Sequence, residues 1–237
     1  MRHSRNGRTR ADGKTVPDEN PLEQEAITEG LTAAAERQTL FTDAVIAIAI
    51  TLLALDLPIP GGRTNSQFLH SAWHDRSDYI SFLISFMVIG VHWRSHHGVF
   101  RYVIRSDTTL GQLNLTWVFL QVITPFAAKI LSGDHAFQVR FGFYALVQFL
   151  ASAVFVMMVG YLQRTSLCRP GTPDRVLQYM KVQNFIMAGL FLLSIPVSFV
   201  THWSYVCWAL GPVIASLSHF QPGCKGGGLV AEGCTTQ

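Results

Sequence analysis

Apolar residues fall into six long runs separated by polar stretches, and no run shows a strict alternation of apolar and polar positions. The runs cover residues 41–57, 79–93, 113–131, 141–162, 182–200 and 203–220. A helix needs about 20 mainly apolar residues to cross the hydrocarbon core of a bilayer. Transmembrane barrels instead show alternating segments of about 10 residues. The pattern therefore predicts an all-α polytopic membrane protein with six transmembrane helices.

The two ends of the chain are polar and differ in composition from the apolar runs. Five basic residues in the first fourteen are followed by a group of glutamates, and no apolar core of a signal peptide follows them. The last segment is rich in glycine, and we find no internal repeat. We therefore predict a disordered cytoplasmic tail over residues 1–35, a transmembrane domain over 36–220 and a C-terminal tail over 221–237.

Composition and charge narrow the classes of function. Of the 237 residues, 49% are hydrophobic and 14% are charged, whereas soluble domains average about 25% charged residues. The net charge of +3 is spread over several segments, so nucleic acid is not an expected partner. Four cysteines form no CxxC pair, and no phosphate loop, nucleophile elbow or H-E-x-x-H motif is present. We expect neither enzymatic activity nor a cofactor.

The distribution of basic residues predicts the orientation in the membrane. Fourteen of the 18 Lys and Arg residues lie in the N-terminal region, in the loops after the second and fourth runs, and in the C-terminal tail. Cytoplasmic loops carry the excess of basic residues in membrane proteins. Both termini are therefore expected in the cytoplasm, which an even number of spans allows.

The first apolar run contains one carboxylate near its start and an aliphatic stripe further on. At about 100° per residue, Ile48, Leu52 and Leu55 fall within a sector of roughly 60°, and Asp43 points about 140° away from Ile48. An ionisable residue inside a membrane helix is costly and is a functional candidate by default. Asp43 is therefore expected to find hydrogen-bond donors on another helix or another subunit, and the candidates are His92, His96, His97 and Asn114.

Three short patterns in this order resemble a known family of membrane proteins. Arg37, Phe41, Thr42 and Asp43 form an R-x-x-x-F-[ST]-D pattern. The second pattern, W-x-x-H-H-x-x-F, begins at Trp93 and includes His96 and His97, and the third consists of Asn114-Leu115 and Pro125-Phe126. Together they resemble the transmembrane protein 175 family, the endosomal and lysosomal potassium channels and their bacterial six-helix relatives.

The resemblance implies a function and a set of site residues. It implies a homotetramer in a bacterial cell membrane, with the first helix lining a pore for potassium ions. Large aliphatic residues of that helix, here Ile48, Leu52 and Leu55, would form the hydrophobic constriction that gates the pore and favours potassium weakly to moderately over sodium. The expected scaffold comprises Arg37, Phe41, Thr42 and Asp43, supported by a polar network of His92, Trp93, His96, His97 and Asn114.

Two other interpretations of the polar residues remain open at this point. Asp43 and the histidines of the second run would suit a proton- or ion-coupled transporter, because intramembrane carboxylates and histidines form proton relays. His92 and His96 also have the i, i+4 spacing of a metal-binding pair, and His97 adds a third imidazole, but no nearby Cys, Asp or Glu completes the set, so no metal site is predicted. Lipid, potassium ions and further copies of the chain are the expected partners.

Overall fold

The computed structural model describes residues 21–133, 135–200 and Trp208, and these residues form an all-α structure. Its helices are α1 (Pro21–Leu55), α2 (Asn65–His74), α3 (Arg76–Phe100), α4 (Thr108–Leu131), α5 (Phe137–Leu162) and α6 (Asp174–Val200). The first five predicted segments correspond to α1, α3, α4, α5 and α6. The sixth predicted segment, apart from Trp208, and most of the two predicted tails lie outside the described residues.

Two features of the N-terminal half differ from the predictions. The helix α1 begins at Pro21, so residues 21–35 are helical although a disordered tail was predicted there. This stretch contains Ala33, Ala34 and Ala35, and alanine has the highest helix propensity. The short helix α2 was not predicted, because it is too polar to appear as an apolar run. Thr64 caps its N-terminus by accepting a hydrogen bond from the backbone N–H of Gln67.

Four helical segments within the described residues are long and apolar enough to cross a membrane. They are Glu29–Leu55, Thr108–Leu131, Phe137–Leu162 and Asp174–Phe199. The helix α3 has sufficient length but is not among them, and its buried side includes two histidines and three serines. A helical membrane protein is thus confirmed, and the number of six spans stays a prediction.

The helices pack unequally, and α1 lies at the edge of the bundle. Contacts are most extensive between α5 and its neighbours α4 and α6. Large side chains such as Trp117, Phe141 and Phe155 are fully buried there. Within the described residues α1 packs against α3 and α4 but not against α5 or α6. A large part of the α1 surface is therefore left uncovered by the other described helices.

Two loops pair at one end of the bundle. The loop after α3 and the loop after α5 meet in an antiparallel bridge between Val103 and Cys168. The backbone N–H of Ile104 donates to the Leu167 carbonyl at 2.9 Å, and that of Arg169 donates to the Tyr102 carbonyl at 2.8 Å. Both loops therefore lie at the same end of the bundle, as the distribution of basic residues predicts. Which side of the membrane this end faces stays a prediction.

The opposite end is fixed where the chain leaves α1. The hydroxyl of Tyr79 donates to the Pro58 carbonyl at 2.9 Å, and Lys129 Nζ donates to the Asp56 carbonyl at 3.2 Å. Gly62 adopts a φ of 143°, and a Cβ there would lie 2.6 Å from the Phe68 backbone nitrogen. Only glycine allows this close turn. These contacts hold the C-terminal end of α1 against α3 and α4.

Candidate pore helix and its polar contacts

The helix α1 has a buried face and an exposed face at helical spacing. The buried face consists of Ala35, Thr42, Ile46, Ala49 and Leu53, all at most 4% exposed. These positions recur every three, four or seven residues, so they form one stripe along the helix. The stripe packs against α3 and α4 and fixes the direction in which the rest of α1 points.

The three aliphatic residues singled out in the sequence lie on the exposed face. Ile48, Leu52 and Leu55 are 58%, 43% and 79% exposed. Phe41, 52% exposed, and Arg37, also exposed, precede them at helical spacing on the same side. The face is therefore a continuous apolar strip with one arginine at its N-terminal end, and its residues are available to contact another copy or to line a pore.

Asp43 is held by a tryptophan of α3. The Trp93 indole Nε1–H donates to Asp43 Oδ1 at 2.9 Å, and the Trp93 ring stacks on His97 with centroids 5.5 Å apart. The expected donors His92, His96, His97 and Asn114 do not hydrogen-bond to Asp43 in the described structure, so this part of the expectation was wrong. The residues of the R-x-x-x-F-[ST]-D and W-x-x-H-H-x-x-F patterns nevertheless meet at this contact.

Thr42 connects α1 to a buried chain of hydrogen bonds. Asn114 Nδ2 of α4 donates to Thr42 Oγ1 at 2.8 Å, and His96 Nε2 of α3 donates to Asn114 Oδ1 at 2.8 Å. The His96 ring lies between Phe100 and Trp117, with centroid distances of 3.9 and 4.7 Å. The donor role of His96 follows because the Asn114 carbonyl oxygen only accepts. Three helices thus meet at one polar contact.

His92 belongs to a separate group deeper in the bundle. Gln121 Nε2 donates to His92 Nδ1 at 2.9 Å, and His92 Nε2 faces Ser152 Oγ at 3.2 Å. One turn away, Gln148 Nε2 donates to Thr124 Oγ1 at 3.2 Å. These partners on α4 and α5 were not among the site residues predicted from the sequence. Gln121 and Gln148, each near the middle of an otherwise apolar run, were the signal that could have located them.

The predicted polar network is therefore divided into three contacts. Asp43 binds Trp93, Thr42 binds Asn114, which in turn binds His96, and His92 binds Gln121 of α4 and Ser152 of α5. No group of three metal-ligating side chains occurs among the described residues. Each contact joins two or three helices, which is the arrangement expected of a scaffold that positions α1.

A further contact holds α1 where it extends past the apolar run. Gln38 Oε1 accepts from Ser106 Oγ at 2.5 Å, and the Ser106 backbone N–H donates to the Leu31 carbonyl at 3.2 Å. The neighbouring Asp107 caps α4 by accepting from the Leu110 N–H at 2.8 Å and also accepts from the Tyr161 hydroxyl. The N-terminal part of α1 is thereby attached to the loop before α4.

Comparison with known proteins gives matches that span this site. Residues 37–125 match the family model described as endosomal/lysosomal potassium channel TMEM175. A potassium channel of Streptomyces collinus is 35% identical over 133 residues, which are 54% of this chain and 65% of that protein. The endosomal/lysosomal proton channel TMEM175 of Gallus gallus is 32% identical over 133 residues, 49% of this chain and 26% of that protein.

A solved structure matches over a larger share of the chain. The crystal structure of a lysosomal potassium-selective channel TMEM175 homolog from Chamaesiphon minutus superposes with a TM-score of 0.67 at 26% sequence identity. The match covers 80% of this chain and 100% of that chain. The match to the Streptomyces protein, in contrast, covers slightly less than two thirds of its length.

Proposed function

From the match of residues 37–125 to the TMEM175 family model, we propose that the chain belongs to this family and conducts potassium ions passively through a pore lined by α1 helices of several copies. The observation that carries the proposal is the apolar face of α1 that the other helices of the described structure leave uncovered. Ile48, Leu52 and Leu55 lie on this face, while the opposite face packs on α3 and α4. A helix at the edge of its subunit with one fixed face is suited to meet its copies around an axis.

We propose a homotetramer as the assembly. Oligomers of identical chains usually close through rotational symmetry, and the resemblance to the bacterial members of the family favours four copies. Four α1 helices around an axis would stack rings of Ile48, Leu52 and Leu55 along the pore. Membrane lipid would surround the outer helices α5 and α6, which do not contact α1 in the described structure.

The chemistry of these rings sets the kind of selectivity to expect. Methyl groups offer no oxygen ligand, so the rings do not coordinate an ion as backbone carbonyls do, and a narrow apolar constriction gates by dewetting. Potassium gives up its hydration water more readily than sodium does. Selectivity for potassium over sodium is therefore expected to be weak to moderate, and the width of the constriction is expected to control it.

The polar contacts behind α1 support the proposal as a scaffold. Thr42 lies on the buried face of α1 and the half-buried Asp43 lies beside it, and they bind side chains of α4 and α3 respectively. A hydrogen bond to a charged group contributes about 1.5–3 kcal/mol. Substitution of Asp43 by alanine is therefore expected to impair folding or assembly before it alters selectivity.

Potassium flux into proteoliposomes tests the proposal. Leu52→Ala widens the proposed ring and Leu52→Asn hydrates it, so both are expected to raise sodium permeability relative to potassium. Leu193→Ala is the matched control, since Leu193 is 61% exposed on α6, away from α1. Ratios of sodium flux to potassium flux in the Leu52 variants equal to those of the wild type and of Leu193→Ala would contradict the assignment of the constriction.

The same preparation separates a channel from the coupled transporter. A passive channel carries potassium down its gradient with no other ion gradient present. A flux that appears only when a proton gradient is imposed would favour a coupled transporter. In the described structure Asp43 makes no hydrogen bond to His92 or His96, so no direct relay between them supports the transporter.

A further inference from the structure

The paired loops at one end of the bundle present five arginines in a small area. The loop after α3 carries Arg101 and Arg105, and the loop after α5 carries Arg164 and Arg169, with Arg175 following at the start of α6. We refer to these five residues as the basic platform. Four of them are exposed and Arg105 is half-buried.

The backbone of the basic platform is held by hydrogen bonds on both sides. The Leu167 carbonyl accepts from the N–H groups of Ile104 and Arg105 at 2.9 and 3.2 Å. The turn after Arg169 is closed by the Thr172 hydroxyl, which donates to the Arg169 carbonyl at 2.6 Å. The arginines therefore extend from a fixed backbone, which reduces the entropy lost when they bind a ligand.

The positive charge of the basic platform is largely unpaired. Arg101 lies over the Tyr102 ring, 4.7 Å from its centroid, and donates to the Tyr102 hydroxyl at 2.6 Å. The other four guanidinium groups have no hydrogen-bond partner among residues 21–133 and 135–200. Asp107, the carboxylate within the first loop, is occupied by the N-terminus of α4 and by Tyr161.

The position of the basic platform along the membrane normal limits its partners. Arg105 lies three residues before the span that begins at Thr108, and Arg164 lies two residues after the span that ends at Leu162. Arg175 is the second residue of α6. Groups this close to span ends lie at the level of the lipid headgroups. Phosphate is the acceptor that a cluster of guanidinium groups binds with paired hydrogen bonds.

We propose that the basic platform binds the headgroups of anionic phospholipids such as phosphatidylglycerol. Clusters of basic residues beside membrane helices attract anionic lipid at about 1 kcal/mol per residue. This binding does not depend on the proposed conduction of ions, because it uses a different surface from the exposed face of α1. The lipid proposal assigns a ligand to the paired loops, for which the pore proposal gives no role.

Native mass spectrometry of the purified full-length chain in detergent, titrated with phosphatidylglycerol or phosphatidylcholine, tests the proposal. Arg164→Gln combined with Arg169→Gln is expected to weaken phosphatidylglycerol binding about fivefold per arginine removed. Replacing the same two residues with lysine is expected to retain most of the binding. The matched control is Arg63→Gln with Arg76→Gln, which removes two arginines at the opposite end and is expected to have no effect.

Three results would overturn the proposal. The first is equal phosphatidylglycerol binding by the Arg164/Arg169 glutamine variant and the control variant. The second is equal affinity for phosphatidylglycerol and phosphatidylcholine in the wild type. The third is full displacement of phosphatidylglycerol by millimolar inorganic phosphate, which would indicate a site for soluble phosphate. If the Arg164/Arg169 glutamine variant fails to fold by circular dichroism, Arg105→Gln with Arg175→Gln gives the same comparison.

Discussion

At the scale of single residues, the indole of Trp93 determines how Asp43 is accommodated. Asp43 is half-buried, and the described structure gives its carboxylate one hydrogen bond, from Trp93 Nε1. A hydrogen bond to a charged group contributes about 1.5–3 kcal/mol. The contact joins α1 to α3 close to the start of the exposed apolar face, so its loss should affect how α1 is oriented.

We expect Trp93→Phe to lower the stability of the detergent-solubilised protein by about 2 kcal/mol, because it removes this hydrogen bond while keeping an aromatic ring. Thermal unfolding followed by circular dichroism measures the change. Asp43→Asn provides the second arm of a double-mutant cycle with Trp93→Phe. Additive effects of the two substitutions would show that the contact does not form in the assembled protein.

A second residue-scale prediction concerns Asn114. Asn114→Leu leaves the Thr42 hydroxyl and the His96 Nε2–H without their partners, and each unsatisfied buried group costs about 1–3 kcal/mol. We expect the loss to exceed that of Gln112→Leu, the same kind of substitution at an exposed glutamine of the same helix. The thermal midpoints of the two variants decide this, and equal midpoints would contradict the hydrogen-bond chain.

The sequence identified the residue types of this site but not their pairing. Asp43 was in the expected scaffold, and Trp93, His96 and Asn114 were in the expected supporting network, because they belong to the motifs that carry the resemblance to the TMEM175 family. Which of them meet depends on the rotation of α3 and α4 relative to α1, and no local pattern encodes that rotation. Trp93 was therefore not singled out as the donor to Asp43.

At the scale of elements, α1 is much longer than the bilayer requires. Its 35 residues correspond to about 52 Å at 1.5 Å per residue, against about 30 Å of hydrocarbon. The apolar run marked the C-terminal end of the helix to within two residues. The apolar run begins 20 residues after the start of the helix, because hydropathy reports contact with lipid and not helical structure. Ser106 and Leu31 show that the N-terminal part still contacts the bundle.

The two faces of α1 predict opposite responses to the same substitution. Ala49 is 2% exposed and packs against the bundle, whereas Ala47 is exposed. Ala49→Leu is expected to destabilise the subunit by about 1–3 kcal/mol through overpacking, and Ala47→Leu by much less. Thermal unfolding of the two variants measures the difference. A larger loss for Ala47→Leu would mean that α1 is rotated from the described orientation.

At the scale of the whole molecule, the pairing of two distant loops closes one end of the bundle. Val103 and Cys168 are 65 positions apart in the chain and face each other in the antiparallel bridge. The sequence predicted that these loops share a side of the membrane, because both are rich in arginine. It did not predict that they pair, since neither loop has the apolar alternation of a strand.

A disulfide can test this pairing directly. Cysteines opposite each other in an antiparallel pair lie within bonding range, so Val103→Cys is expected to cross-link to Cys168 when Cys207, Cys224 and Cys234 are replaced by serine. Cleavage at a protease site introduced between α4 and α5 should leave two fragments joined until reductant is added. The control, Val103→Cys with Cys168→Ser, should release the fragments, and release from both variants would contradict the pairing.

The rate of this cross-linking should depend on pH. Burial raises the pKa of the Cys168 thiol, and the thiolate is the reactive form. At neutral pH the thiol therefore remains protonated to a greater extent than an exposed cysteine, and oxidation should be slow. The cross-linking rate is expected to keep rising with pH above the range in which the reaction rate of a small-molecule thiol no longer changes. A timed series of quenched samples at each pH measures this rate.

The polar composition of α3 has a consequence for how the chain is made. Ser81, His92 and His96 obtain their hydrogen bonds from α4 and α5, which leave the ribosome after α3. Until those helices arrive, α3 offers the translocon a segment with unsatisfied polar groups, and such a segment partitions poorly into lipid. We expect α3 to enter the bilayer late, together with the helices that follow it. In nascent chains truncated shortly after Phe100, α3 should therefore fail to cross the membrane. A glycosylation site placed directly after α3 should then lie on the opposite side of the membrane from the side it occupies in the full-length chain.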